Sequence, residues 1–105
     1  MDDLEFTAEL WRWQARSDDV SGWIFVSLPE DLAEEVRLQA GPRRGFGSVR
    51  VEARIGATVW RTSIFPSTDS DTFVLPIKKA VRVTEGVDEG STAAVVVRVL
   101  DQDPG

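Results

Sequence analysis

The sequence predicts a mainly β protein with two short helices, closed into one small barrel from two interlocked halves. Three observations carry this. Trp23-Ile24-Phe25-Val26-Ser27-Leu28-Pro29 runs into a helical stretch, then Gly41, then a valine-rich strand around Val49 and Val51. Thr72-Phe73-Val74-Leu75-Pro76 runs into a second helical stretch, then Gly90, then a valine-rich strand from Val95 to Val99. Val49 follows Pro29 by 20 residues, and Val96 follows Pro76 by 20. A strand–Pro–helix–Gly–strand unit is repeated, giving the order ββαβ, turn, ββαβ. Two such halves close most simply into a barrel with the helices plugging its ends.

Leu4 to Trp13 alternates Leu4, Phe6, Ala8 and Leu10 against Glu5, Thr7, Glu9 and Trp11. That period of two marks a strand with one buried face. Arg16 to Ser21 is a polar turn, and Gly22 opens the next strand, Trp23 to Leu28. Both parities are apolar there, which predicts a central strand covered on both sides. Pro29, Glu30 and Asp31 start the first helix. Proline is tolerated where the N–H would be unpaired anyway, and carboxylates suit the positive helix end. Leu32, Ala33 and Val36 share the inner face, with Glu34, Glu35 and Arg37 opposite. Gly41 and Pro42 end the helix.

Gly41 to Ser48 is a loop with three glycines and two arginines. Ser48 to Ile55 is a strand with Val49, Val51, Ala53 and Ile55 inward. Gly56-Ala57 is a two-residue hairpin turn, and Thr58 to Phe65 is the partner strand, stopped by Pro66. This register sets Glu52 opposite Arg61 and Ala53 opposite Trp60. An opposite-charge pair across a ladder contributes about 0.2–1 kcal/mol. Ser67 to Asp71 is a polar loop, and Thr72 to Ile77 is a strand. Lys78 to Thr84 is a short helix with Ala80, Val81 and Val83 inward. Glu85 to Ser91 is a turn, and Thr92 to Leu100 is a second central strand, apolar on both parities. Residues 1–105 form a single domain, with halves of about 4–55 and 58–100 and a tail at 101–105.

The chain has no Cys, His or Tyr. This removes disulfides, the commonest general base, thiolate nucleophiles and almost every zinc site. No phosphate-cradling glycine motif is present. The acidic start, Met-Asp-Asp-Leu-Glu, lacks the basic and apolar regions of a signal peptide, and no apolar run has the length of a membrane span. The expectation is a soluble cytoplasmic protein without cofactor, metal or membrane contact. The net charge of −6 is segregated: residues 43–82 carry eight basic and three acidic residues, and the remainder four basic and fifteen acidic. A dipolar surface of this kind can still receive an anion.

Three blocks resemble one family. They are Gly45-Phe46-Gly47-Ser48-Val49-Arg50-Val51, Trp60-Arg61-Thr62-Ser63-Ile64-Phe65-Pro66, and Leu75-Pro76-Ile77-Lys78-Lys79-Ala80-Val81-Arg82. With the Phe-Val-Ser-Leu-Pro segment, they are similar to the bacterial and archaeal family known as domain of unknown function nineteen-oh-five. The resemblance covers nearly the whole chain and implies a double-split β-barrel. The same fold class includes swapped-hairpin transcription factors. The chain departs from the family pattern at Gly90-Ser91-Thr92-Ala93-Ala94, where members usually have Gly-Asp and then a hydrophobic residue.

Two basic groups are candidate ligand sites. Lys78, Lys79 and Arg82 gather at the start of the second helix, where cations oppose the helix dipole and where an anion could be recruited. Arg43, Arg44, Gly45 and Gly47 form a glycine-rich loop whose guanidinium groups could clamp a carboxylate or phosphate. The plain alternatives are a solvated basic face and a turn that needs positive φ. Trp11, Trp13, Trp23 and Trp60 could line a ligand pocket, although most are expected as core or barrel-end packing. Trp11 and Trp13 share the polar parity of their strand, so at least one should be exposed or at an interface. Arg50, Arg54 and Arg61 are explained by the ladder around Glu52. Ser63 with Lys79 could form a serine–lysine nucleophile if they meet. Asp69 and Asp71 could touch calcium, but two acids are a weak ligand set.

The leading functional expectation is a non-enzymatic binding module. Its basic strip of Arg43, Arg44, Lys78, Lys79 and Arg82 would hold a small anionic ligand or an acidic protein segment. Nucleic-acid binding is the alternative by fold analogy, and a pI of 4.6 argues against it. An enzyme is the third reading, with no constellation behind it. Self-association through an edge strand or Trp11 is a further possibility.

Overall fold

A computed structural model describes residues 3–13, 23–40, 47–67 and 70–100. The elements are β1 (Leu4–Glu9), β2 (Trp11–Trp13), β3 (Trp23–Ser27), α1 (Glu30–Ala40), β4 (Val49–Ile55), β5 (Thr58–Pro66), β6 (Phe73–Pro76), α2 (Lys79–Glu85) and β7 (Thr92–Val99). The seven strands form one antiparallel sheet in the order β1-β7-β4-β5-β6-β3-β2. It curls into a half-barrel whose two end strands, β1 and β2, are parted in the chain by Leu10 alone.

The expected strand from Leu4 to Trp13 is therefore broken once. At Leu10 the chain leaves β7 for β3. The Leu10 N–H donates to Ser91 O and its carbonyl accepts from Gly90 N–H, both at 2.8 Å. β5 makes the same change of partner, pairing β4 through Thr58–Ile64 and β6 only through Phe65 and Pro66. β3 pairs with β6, and β4 with β7.

The hairpin register is as the sequence predicts, with Glu52 opposite Arg61 and Ala53 opposite Trp60. Gly56 takes φ +58° at the first central position of the turn, the place where a II′ turn favours glycine. Every second residue of β4 faces in, and Val49, Val51, Ala53 and Ile55 are buried. Ile64, Leu75, Val26, Val95 and Val97 meet them in the same core.

Two expectations are corrected. β3 and β7 are apolar on both parities but covered on only one face. Ile24 and Val26 are buried, while Trp23 is 60% exposed and Phe25 half-buried. In β7 Ala93, Val95, Val97 and Val99 are buried, and Ala94 is exposed. A curled sheet has one interior, so alternate side chains of every strand must face outward. In α2 only Val81 is buried; Ala80 and Val83 are exposed. Its seven residues are too short to turn a wide apolar stripe inward.

α1 buries Ala33 and Val36 and keeps Glu30 and Asp31 in its first turn. Arg37 fastens it to the β6 side, 2.8 Å from Asp71 Oδ1 and 5.6 Å from the Phe73 ring centre. Thr72, buried just before β6, donates to Leu28 O at 2.6 Å. α2 starts one residue later than expected, with Lys78 as N-cap, and ends at Gly86 with φ +68°. The Val87 N–H reaches Arg82 O at 3.0 Å and the Gly86 N–H reaches Val83 O, so a Schellman arrangement satisfies the last carbonyls. Among the described residues, no helix is long and apolar enough to cross a membrane.

Candidate functional site

The change of partner along β5 leaves a gap in the sheet beside Trp60, Arg61 and Thr62. A cleft of about 330 Å³ opens there. Its apolar lining comes from Ile24, Trp60 and Ile77, all buried, and from Trp23 and Pro76 at the mouth. Arg61, Lys78, Lys79 and Arg82 bring the positive charge. The Ile77 N–H donates to Ile24 O at 2.9 Å, which ties the segment before α2 to β3 and fixes one wall.

The four cations differ. Arg82 is mostly committed to structure. Its Nε donates to Ile77 O at 3.1 Å, and one terminal nitrogen lies 3.1 Å from Asp88 Oδ1. Asp88 also accepts the Glu89 backbone N–H at 2.8 Å. That hydrogen bond first, and the Arg82 guanidinium beside it, hold the Asp88 carboxyl below its usual value. Arg61 faces Glu52 at 3.8 Å with 68% of its side chain exposed, which leaves most of its donors available. Lys78 and Lys79 are exposed, and among the described residues neither forms an ion pair. A second depression of about 320 Å³ lies behind Arg82, lined also by Asp88 and Ser91. There Arg82 already faces a carboxylate, and Lys79 also lines the depression.

Of the residues singled out from sequence, Trp60, Lys78, Lys79 and Arg82 come together in the cleft. Arg82 does so as a wall already engaged with Ile77 and Asp88, not as a free cation. Ser63 is absent from the cleft lining that includes Lys79. Gly47 takes φ +79°, and a Cβ there would lie 3.6 Å from Pro66. It stands outside the cleft lining. Arg43, Arg44, Gly45 and Asp69 lie outside the described residues, as does the 101–105 tail. Asp71 is engaged by Arg37.

Sequence reasoning missed Arg61, Thr62 and Pro76 as cleft residues, and weighed Trp23 as a pocket wall while favouring it as packing. The expected hairpin register already set Arg61 beside Trp60. Nothing in the pattern announces that Pro76 pairs with Phe25 and brings Trp23 near. Trp23, expected inside, is instead part of an aromatic outer face. Its ring stacks on Phe25 at 6.3 Å, and Phe25 meets Trp11 at 5.2 Å. Trp11 is half-buried, with its indole N–H donating to Ser27 Oγ at 3.0 Å, and Trp13 is 48% exposed.

A curled antiparallel seven-strand sheet with two helices defines a small, mainly β, barrel-like domain. The chain belongs to the family described as Domain of unknown function (DUF1905), whose model matches residues 6–97. A comparison with curated proteins finds none that matches.

Proposed function

We propose that this DUF1905 chain is a non-enzymatic binding module whose cleft takes an anionic group carried on an apolar body. One observation carries the reading: Arg61, Lys78 and Lys79 stand around a recess lined by Trp23, Trp60 and Pro76. Aromatic rings offer apolar contact at small entropic cost, and cations beside them select for a carboxylate or phosphate. The chain is acidic overall, so a local positive rim is the feature that needs a reason. Structure alone does not supply one for Lys78 and Lys79, which precede and open a helix where cations oppose the dipole.

The test is a low-salt thermal-shift series with benzoate and phenyl phosphate as anionic probes, benzamide as the neutral control and duplex DNA as a comparison. Wild type is set against Lys78→Ala/Lys79→Ala. A bound probe at one hundred times its Kd stabilises the fold by about 2.7 kcal/mol. The expected result is a shift with the anions only, lost in the variant. Equal shifts in both proteins, or none with any anion, overturn the reading. Steeply salt-dependent DNA binding would replace it.

A further inference from the structure

We propose that the natural ligand of this cleft is an extended acidic peptide segment that adds as a strand to the free edge of β5. This rests on the anionic-ligand reading above and specifies the body that carries the charge.

Pairing parity decides which backbone groups of β5 face β4 and which face away. The Gly56-Ala57 turn closes on the Ile55–Thr58 pair. In an antiparallel ladder, hydrogen-bonded pairs alternate with non-bonded ones. Thr58, Trp60, Thr62 and Ile64 therefore exchange backbone hydrogen bonds with β4. Val59, Arg61 and Ser63 turn their N–H and C=O to the opposite edge. Phe65 has the same parity as these three, and it pairs on that opposite edge with Val74 of β6. Among the described residues, no strand lies beside this edge before Phe65. Among the described residues, no other backbone hydrogen bond reaches Val59, Arg61 or Ser63. Arg61, in the middle of this edge, lines the cleft. A row of unpaired backbone groups is a template for another strand.

Charge decides what strand it takes. β1 has an edge of the same form. Leu10 bonds Ser91 and Gly90 on the β7 side, so Glu5, Thr7 and Glu9 direct their backbone groups away from β7. That edge carries two carboxylates. The β5 edge carries Arg61, with Lys78 and Lys79 on the same cleft. An acidic segment is repelled at the first and attracted at the second. Lying about 4.8 Å from β5, it would turn alternate side chains toward the Trp60 side and toward the Arg61 side. Main-chain bonds would supply affinity, and the cations would supply choice.

The probe is a fluorescein-labelled pentapeptide of alternating Glu and Val, measured by anisotropy with the full chain. Three outcomes support the proposal together: saturable binding, weakening of about tenfold or more in Lys78→Ala/Lys79→Ala, and slowed amide exchange at Arg61 and Ser63. Equal affinity for the same peptide with its backbone N-methylated on both edges overturns strand addition. Benzoate binding without peptide binding also overturns it, while leaving the anion site standing. Failure of both probes removes both. Self-association that buries the β5 edge, and that the peptide does not compete, assigns the edge to a second copy and overturns the proposal.

Discussion

Thr58 Oγ1 donates a 2.5 Å hydrogen bond to Glu85 Oε2, joining the first residue of β5 to the last residue of α2. The same carboxylate occupies the space where a Cβ on Gly56 would stand. Glu85 thus docks α2 onto the β4–β5 hairpin. That hairpin carries Trp60 and Arg61, and the other end of α2 carries Lys79, with Lys78 just before it. This contact, outside the cleft lining itself, joins the two elements that carry these cleft residues.

Two glycines with similar backbone angles should therefore respond differently to alanine. Gly56 has φ +58° and Gly86 has φ +68°. A left-handed residue with a Cβ costs about 1–2 kcal/mol. At Gly86 nothing lies within reach of a new Cβ, so Gly86→Ala should cost that amount and no more. Gly56→Ala should cost more, because Glu85 must also move. Urea unfolding of both variants and of Gly56→Ala/Glu85→Ala measures this. The double variant should lose less than the sum of its two single losses. Equal losses at the two glycines would contradict the packing of Glu85 on the turn.

Arg82 and Asp88 give a pH signature. Asp88 is held below its usual value, chiefly by the Glu89 N–H and then by Arg82. A depressed folded value means that the carboxylate contributes stability above its unfolded value. That contribution is lost as pH falls through the folded one. Wild type should therefore exceed Asp88→Asn in Tm at neutral pH. The two should converge in acid, below the ordinary aspartate value of about 3.9. Arg82→Met should be less stable than wild type at every pH, because the bond to Ile77 O is lost too. A Tm gap between wild type and Asp88→Asn that stays constant from neutral to acid would contradict the assignment.

How much of this could be read from residues alone follows from which contacts are local. The β4–β5 register was legible because a two-residue turn fixes it, and with it the Trp60–Arg61 corner of the cleft. Lys78 and Lys79 were legible as cations against a helix dipole. Trp23 was misread, because an apolar run on both parities reads as double burial. In a curled sheet the outer parity faces solvent instead. Pro76 and Trp23 reach the cleft through the β3–β6 pairing, which joins Phe25 to Pro76 across half the chain. No period in the sequence encodes that pairing. Arg82 was recognised as a cation, but its bond to the Ile77 carbonyl depends on how the preceding segment turns.

The two cleft tryptophans separate stability from binding. Trp60 is 7% exposed and Trp23 is 60% exposed. Trp60→Ala should cost about 3–5 kcal/mol, the usual loss for a large buried aromatic, and should lower Tm accordingly. Trp23→Ser removes little buried area and should stay within about 0.5 kcal/mol of wild type, as surface changes do. Trp23 nonetheless forms the mouth of the cleft beside Pro76. Trp23→Ser should therefore weaken the acidic peptide while leaving urea unfolding unchanged. Anisotropy titration beside a denaturation curve on the same sample checks both. Normal peptide affinity in Trp23→Ser would move the binding surface away from this mouth. A large stability loss in that variant would mean that the outer aromatic face contributes packing which its exposure does not suggest.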